Sequence, residues 1–248
     1  MRRAVTIIEL MIALGVIAIL LAILLPALVS TKESAAEVAS LANLRSIGQT
    51  MTAYQSDHDG AFLYYEPGAR LYNFPELVDS EHAISYGTHN WQFRDHWPAH
   101  PRVHALFPWA EHYETWLSPG AGDAPELAPW QGRDGDVVTW RKPSYHYSNT
   151  FYNDPSVWTD SPPAFGECHH IIRDSDVASP AAKVVFWDAE RAYLRPYPEA
   201  ADPRPVLFAD GSAHLRHDAD ATPPVANPYW PRTHVYNDTP NGVHGRDF

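Results

Sequence analysis

Carboxylates near the ends of two predicted strands are the side chains best suited to bind an ion. Asp188 and Glu190 follow the apolar run Val-Val-Phe-Trp, and Asp210 follows the run Val-Leu-Phe. Hard oxygen ligands of this kind suit Ca²⁺. The alternative interpretation is structural, with Asp188 ending a strand and Asp210 serving a turn. The pattern predicts Ca²⁺ as a candidate cofactor and these three residues as its ligands.

A thiol and two imidazoles are adjacent at 167–170, where the sequence reads Glu-Cys-His-His. The group resembles half of a transition-metal site. Adjacent residues on a strand point to opposite faces, so partly exposed loop residues are the alternative interpretation. Cys168 beside His169 also lacks the geometry of an activated nucleophile. The motifs G-x-S-x-G and H-E-x-x-H do not occur in the sequence, so we expect no enzyme activity.

An apolar segment near the start of the sequence is long enough to cross a bilayer. Residues 10–31 form a run of 22 uncharged residues, and about 20 apolar residues span a membrane as a helix. A secretory signal peptide has a shorter apolar region, followed by a small-residue cleavage site. Arg2 and Arg3 precede the run, so the positive-inside rule keeps the N-terminus in the cytoplasm. A plain single-pass membrane anchor is the simplest interpretation.

The residues that open this segment favour a more specific interpretation. The string Ala-Val-Thr-Ile-Ile-Glu-Leu at 4–10 resembles the cleavage motif of prepilins and type II secretion pseudopilins. Ala4 stands where that family usually has Gly, and Val5 stands where it usually has Phe. The next five residues follow the family pattern closely. Pro26 also falls where many pilins have a helix-bending proline.

The resemblance implies how the protein is processed and assembled. A membrane prepilin peptidase would remove the leader that carries Arg2 and Arg3 by cutting between Ala4 and Val5. The new amino group of Val5 would then be methylated. The Glu9 carboxylate would pair with the amine of a neighbouring subunit in a filament, which offsets the cost of burying a charge. The implied partners are the peptidase, sibling pilin or pseudopilin subunits and the bacterial inner membrane.

The helix is predicted to continue beyond the membrane. Apolar residues recur every three or four positions over 35–54, which is typical of an amphipathic helix packed on one side. We expect a leader at 1–4, a transmembrane and assembly half of the helix at 5–31, and an amphipathic half at 32–58. Pro26 should bend the first half, because proline removes a backbone donor.

The remaining residues are predicted to form a globular head over 59–217, exposed to the periplasm. A short helix is expected near 104–114. The segments with strand signals are 144–154, 182–190 and 204–217, the last being a hairpin with an Asp-Gly turn. The Pro- and Asn-rich residues 218–248 are expected to form an irregular strap. The fold class is therefore α+β, a long N-terminal helix packed on a small antiparallel sheet, the pilin-like lollipop that the resemblance implies.

The sequence favours a structural subunit of a pilin-like filament, specifically a type II secretion pseudopilin. A first alternative is a minor pilin or surface adhesin whose head binds carbohydrate by stacking sugars on exposed tryptophans. The candidate rings are Trp91, Trp97, Trp109, Trp130, Trp140 and Trp158. A second alternative is a membrane-anchored periplasmic metal-binding protein or enzyme that uses Cys168 and His170. The formal net charge of −12 argues against a nucleic-acid partner.

Overall fold

Over the residues that the structure describes, the fold consists of one long helix and two antiparallel sheets. The computed structural model describes residues 6–63, 113–121, 127–131, 137–140, 144–164, 168, 170–194, 201–228, 233 and 235–248. The helix is α1 (Ile7–Asp57), and the strands are β1 (Leu127–Gln131), β2 (Val137–Trp140), β3 (Tyr145–Tyr147), β4 (Val184–Asp188), β5 (Arg204–Phe208) and β6 (Ala213–Arg216). Short 3-10 turns occupy many of the described connections. This layout confirms the predicted α+β class.

Helix α1 is continuous over 51 residues, which corresponds to about 77 Å at ~1.5 Å per residue. It begins after the N-cap residue Thr6 and contains Pro26. It ends at Asp57 because the chain then turns through Asp59 and Gly60, whose φ angles are 51° and 74°. The prediction of one long helix is therefore confirmed from Ile7 onward. The leader residues 1–4 and Val5 lie outside the described residues.

The larger sheet has the strand order β3-β4-β5-β6, with every neighbouring pair antiparallel. The predicted hairpin joins β5 to β6. Gly211 has a φ of 83°, and Asp210 accepts hydrogen bonds from the backbone N–H and hydroxyl of Ser212 at 2.9 and 2.6 Å. A second sheet pairs β1 with β2, which the sequence pattern did not predict.

The predicted strand over 144–154 is much shorter in the structure. Strand β3 ends at Tyr147, and the next residues form a 3-10 turn. Ser148 causes this change, because its hydroxyl accepts a hydrogen bond from the Thr150 backbone N–H, as a helix cap does. The short helix expected near 104–114 lies almost wholly outside the described residues. Only its last two positions are described, and they begin the 3-10 helix Tyr113–Trp116.

The second half of α1 packs on one face of this sheet. Its buried residues are Ser40, Leu44, Ile47, Gly48, Met51 and Tyr54, and they recur at helical spacing. The apolar cluster that they join includes Phe186 of β4 and Leu207 of β5. Full burial begins at Ser40. The predicted stripe started at residue 35, but Val38 remains 63% exposed. The head therefore holds only the last five turns of the helix.

The C-terminal segment covers the opposite face of the sheet. Tyr236 is buried against Trp187 of β4 and Phe208 of β5, and Phe248 packs against the same cluster. All five residues of β4 are buried, because α1 lies on one side of the sheet and this segment on the other. The described residues of the segment 218–248 therefore form the second layer of the head.

Gly48 allows α1 to approach β5 closely. A Cβ atom at this position would lie 3.1 Å from Leu207 Cδ1, whereas a Cβ at Gly15 would meet nothing within 4 Å. Replacing Gly48 by Leu would add four carbons to a filled space, and overpacking of this kind costs about 1–3 kcal/mol. We expect Gly48→Leu to lower the unfolding free energy of the head by that amount.

The measurement is urea denaturation of the full chain in detergent, with tryptophan fluorescence as the signal that reports unfolding. Gly15→Leu is the matched control, because it makes the same substitution on the same helix where no packing partner is present. Equal midpoints for the two variants would contradict a tight contact between α1 and β5.

Candidate functional site

The first half of α1 is not covered by any other part of the chain that the structure describes. Every described residue from Thr6 to Lys32 is exposed. The large apolar side chains over 7–29 have exposed fractions from 48% at Leu21 to 78% at Ile7. These 23 residues extend about 35 Å as a helix, close to the ~30 Å of a bilayer core. Their length and composition fit a membrane span or a signal anchor.

The start of this helix is closed by a capping box between Thr6 and Glu9. The Thr6 hydroxyl accepts a hydrogen bond from the Glu9 backbone N–H at 3.3 Å. Glu9 Oε2 in turn accepts hydrogen bonds from the Thr6 backbone N–H at 2.8 Å and from the Thr6 hydroxyl at 2.9 Å. This reciprocal arrangement satisfies donors that a helix N-terminus otherwise leaves unpaired. Glu9 therefore has a local structural partner in addition to any partner in an assembly.

Thr6 is a residue whose role the sequence reasoning missed. The spacing Thr-x-x-Glu before an apolar run is the sequence signature of a capping box, and Thr6 and Glu9 show it. The remaining predicted processing residues, Arg2, Arg3, Ala4 and Val5, lie outside the described residues. Pro26 lies inside α1 and provides no backbone donor for the carbonyl four residues earlier.

A buried carboxylate joins the helix to the head at the point where burial begins. Asp188, at the end of β4, is fully buried, and its Oδ2 accepts hydrogen bonds from the Ser40 and Ser118 hydroxyls, each at 2.7 Å. Its Oδ1 accepts from the backbone N–H groups of Glu190 and Arg191 at 3.2 and 2.7 Å. Four donors thus surround one carboxyl group, which compensates for its removal from water.

The surroundings of Asp188 act on its protonation in opposite directions. Burial raises the pKa of Asp188, and the hydrogen bonds from Arg191, Ser118 and Ser40 oppose that rise. The Tyr145 hydroxyl lies 3.1 Å from the Ser40 hydroxyl, and burial together with the charge of Asp188 raises the pKa of Tyr145 as well. The cluster is therefore closed to solvent, and its groups are engaged with one another.

The structure does not bring the three predicted calcium ligands together. Strands β4 and β5 are antiparallel. Asp188 at the end of β4 and Asp210 after the end of β5 therefore lie at opposite ends of this strand pair. Glu190 accepts a hydrogen bond from the Ser144 hydroxyl at 2.6 Å, and Asp210 serves its own turn. Among the described residues, no group of three His, Cys, Asp or Glu side chains is placed to hold a metal ion.

The two described members of the predicted Cys and His site differ in exposure, since Cys168 is buried and His170 is exposed. Cys168 is 3% exposed, and burial raises the pKa of its thiol, so the unreactive protonated form is favoured. His170 is exposed, and His169 lies outside the described residues. Cys168 is packed instead in a small apolar cluster with Val157 and Trp158.

The tryptophans predicted to bind carbohydrate are only partly described. Trp158 is 4% exposed, and its indole N–H donates a hydrogen bond to Asp238 at 3.1 Å. This ring is a core residue and has no free face for a sugar. Trp130 and Trp140 lie in β1 and β2. Trp91, Trp97 and Trp109 lie outside the described residues.

Comparison of the chain with protein-family models, with curated proteins and with solved structures finds no match in any of the three.

The hydrogen bond from Ser40 to Asp188 should contribute measurably to the stability of the head. Removing a donor to a buried charged group costs about 1.5–3 kcal/mol. We therefore expect Ser40→Ala to lower the unfolding free energy by that amount, measured by urea denaturation of the full chain in detergent. Ser46→Ala is the matched control, because Ser46 is exposed on the same helix and the change in helix propensity is identical. Equal stability of the two variants would show that this hydrogen bond contributes nothing.

Proposed function

We propose that this protein is a structural subunit of a pilin-like filament, specifically a pseudopilin of a type II secretion system. The observation that carries the proposal is the membrane-length apolar half of α1, which the described residues of the head leave exposed. Such a surface requires lipid or other helices around it. The subunit is stored in the inner membrane through this half, with its head in the periplasm.

The continuity of α1 supports a filament over a plain anchor. A plain anchor needs a span and any flexible connection to its soluble domain. In this protein one helix includes the span, about ten further residues that are exposed or only partly buried, and the buried segment of the head. A rigid rod of this kind allows subunits to bundle their first halves while the heads remain outside the bundle. The Ala-Val-Thr-Ile-Ile-Glu-Leu string at 4–10 lies where such a rod would be processed.

The geometry at Glu9 is compatible with a role in assembly. Oε2 accepts both hydrogen bonds from Thr6, and within the described residues no donor to Oε1 is present. The carboxylate can therefore cap its own helix and still accept the methylated amino group of a neighbouring subunit. Opposite charges that pair in a low-dielectric bundle offset part of the desolvation cost of each. The pairing would also fix the stagger between adjacent helices.

Processing by a prepilin peptidase is the first test of this function. We expect the mature protein to begin with an N-methylated Val5 when it is expressed with an active peptidase, and to begin at Met1 with a catalytically inactive peptidase. N-terminal sequencing and intact mass of the membrane-extracted protein provide the measurement. A chain that begins at Met1 in both cases would refute the pilin-like assignment, and cleavage near residues 30–35 would identify an ordinary signal peptide.

Substitutions at Glu9 separate its capping role from its assembly role. Glu9→Gln retains a side-chain oxygen that can accept from Thr6 but removes the charge, whereas Glu9→Leu removes both. We expect both variants to be cleaved and both to lose filaments, as scored by electron microscopy and by pelleting of sheared material from cells that express the assembly machinery. Normal filaments from Glu9→Gln would show that the charge is not required and would refute the proposed pairing.

A further inference from the structure

Lys183 is a charged residue that the proposed filament role does not use, and it is completely buried. It precedes β4, and its side chain is 0% exposed. Its Nζ donates a hydrogen bond to the Thr239 hydroxyl at 2.6 Å. It also lies 3.3 Å from both carboxylate oxygens of Asp247. The amino group therefore faces the whole carboxyl group of a residue 64 positions later in the chain.

The Asp247 carboxyl group is held in place by donors on both of its oxygens. Oδ2 accepts a hydrogen bond from the Val184 backbone N–H at 2.7 Å. Oδ1 accepts a hydrogen bond from the Thr239 hydroxyl, and that hydroxyl is the one that accepts from Lys183 Nζ. The three side chains thus form a continuous path of hydrogen bonds from the amino group, through Thr239, to one oxygen of the carboxyl group.

The site is closed to water. Asp247 and Thr239 are each 2% exposed, and the neighbouring Asp238 is 1% exposed. Burial lowers the pKa of Lys183, while the charges of Asp247 and Asp238 act in the opposite direction. A lowered pKa increases the share of neutral amine, which is the nucleophilic form. The low dielectric also strengthens the hydrogen bonds that polarise the carboxyl group.

We propose that Lys183 and Asp247 condense to form an intramolecular isopeptide bond. Nζ attacks Cγ of Asp247, so a C–N bond forms and the bond from Cγ to Oδ1 breaks. The ammonium group gives up two protons, which Thr239 relays to Oδ1, and Oδ1 leaves as one water molecule. The Val184 N–H stabilises the charge that develops on Oδ2, which becomes the amide carbonyl. The reaction consumes no oxidant, reductant or cofactor.

The bond would fasten the C-terminal segment to the sheet covalently. Lys183 immediately precedes the strand that lies at the centre of the head, and Asp247 belongs to the layer that covers it. The resulting cross-link joins two positions that are 64 apart in the chain, and the loop it closes restricts the unfolded chain as a disulfide does. Cys168 is the only cysteine in the sequence, so an internal disulfide is not an option for this head.

Intact mass spectrometry of the purified full chain tests the proposal. We expect the protein to be lighter than its sequence by the mass of one water, and Lys183→Arg and Asp247→Ala to have their full sequence masses. A full mass for the wild-type chain would overturn the proposal. A water loss that persists in Lys183→Arg would also overturn it, because it would arise elsewhere, for example by cyclisation at Asp210 and Gly211.

Tryptic digestion of the denatured wild-type chain gives an independent readout if the variants fail to fold. Trypsin cannot cut after a lysine whose amino group is an amide. We therefore expect residues 174–191 as one uncut peptide joined to the peptide that begins at Asp247. Separate peptides that end at Lys183 and start at Asp247, with no joined species, would refute the bond.

Discussion

The two halves of helix α1 lie in different environments, and the internal hydrogen bonds of one continuous helix make this possible. The first half of α1 has apolar side chains on every side and needs lipid or helical neighbours, whereas the second half is buried on the face that packs against the sheet and the 3-10 helix Tyr113–Trp116. A helix satisfies its peptide groups internally, so it can pass between these environments without exposing unpaired donors or acceptors in either. Full burial starts at Ser40, 11 residues beyond Val29, so about 16 Å of helix separates the apolar span from the first fully buried residue.

The head fixes the position of this helix by polar as well as apolar contacts. An apolar stripe at helical spacing can slide by one turn and still pack, because Leu44, Ile47 and Met51 are similar in size and chemistry. The hydrogen bond from Ser40 to Asp188 has no such equivalent one turn away. A displaced helix would leave a buried carboxylate short of a donor, which is costly. The polar contact therefore selects one register of the helix, together with the close approach of Gly48 to Leu207 in β5.

The features that were predictable from sequence are those set by near neighbours in the chain. The helix follows from residue spacing, and the β5–β6 hairpin follows from Asp-Gly between apolar runs. The capping box was equally readable at Thr6 and Glu9. The relative placement of Asp188 and Asp210 could not be predicted, because it depends on the direction of the strands. Antiparallel pairing puts the two residues at opposite ends of the β4–β5 pair. The buried contact of Lys183 with Asp247 joins positions 64 apart and has no local signature.

The two layers of the head become available at different times during synthesis. Helix α1 precedes the strands in the chain, so one face of the sheet can be covered as soon as β4, β5 and β6 emerge. The other face exposes Trp187 and Phe208 until the segment with Tyr236 and Phe248 has followed. An uncovered apolar sheet is prone to aggregation in that interval. The second layer is therefore the last part of the head to form during synthesis. Until it has docked, the exposed apolar face of the sheet leaves the head prone to aggregation.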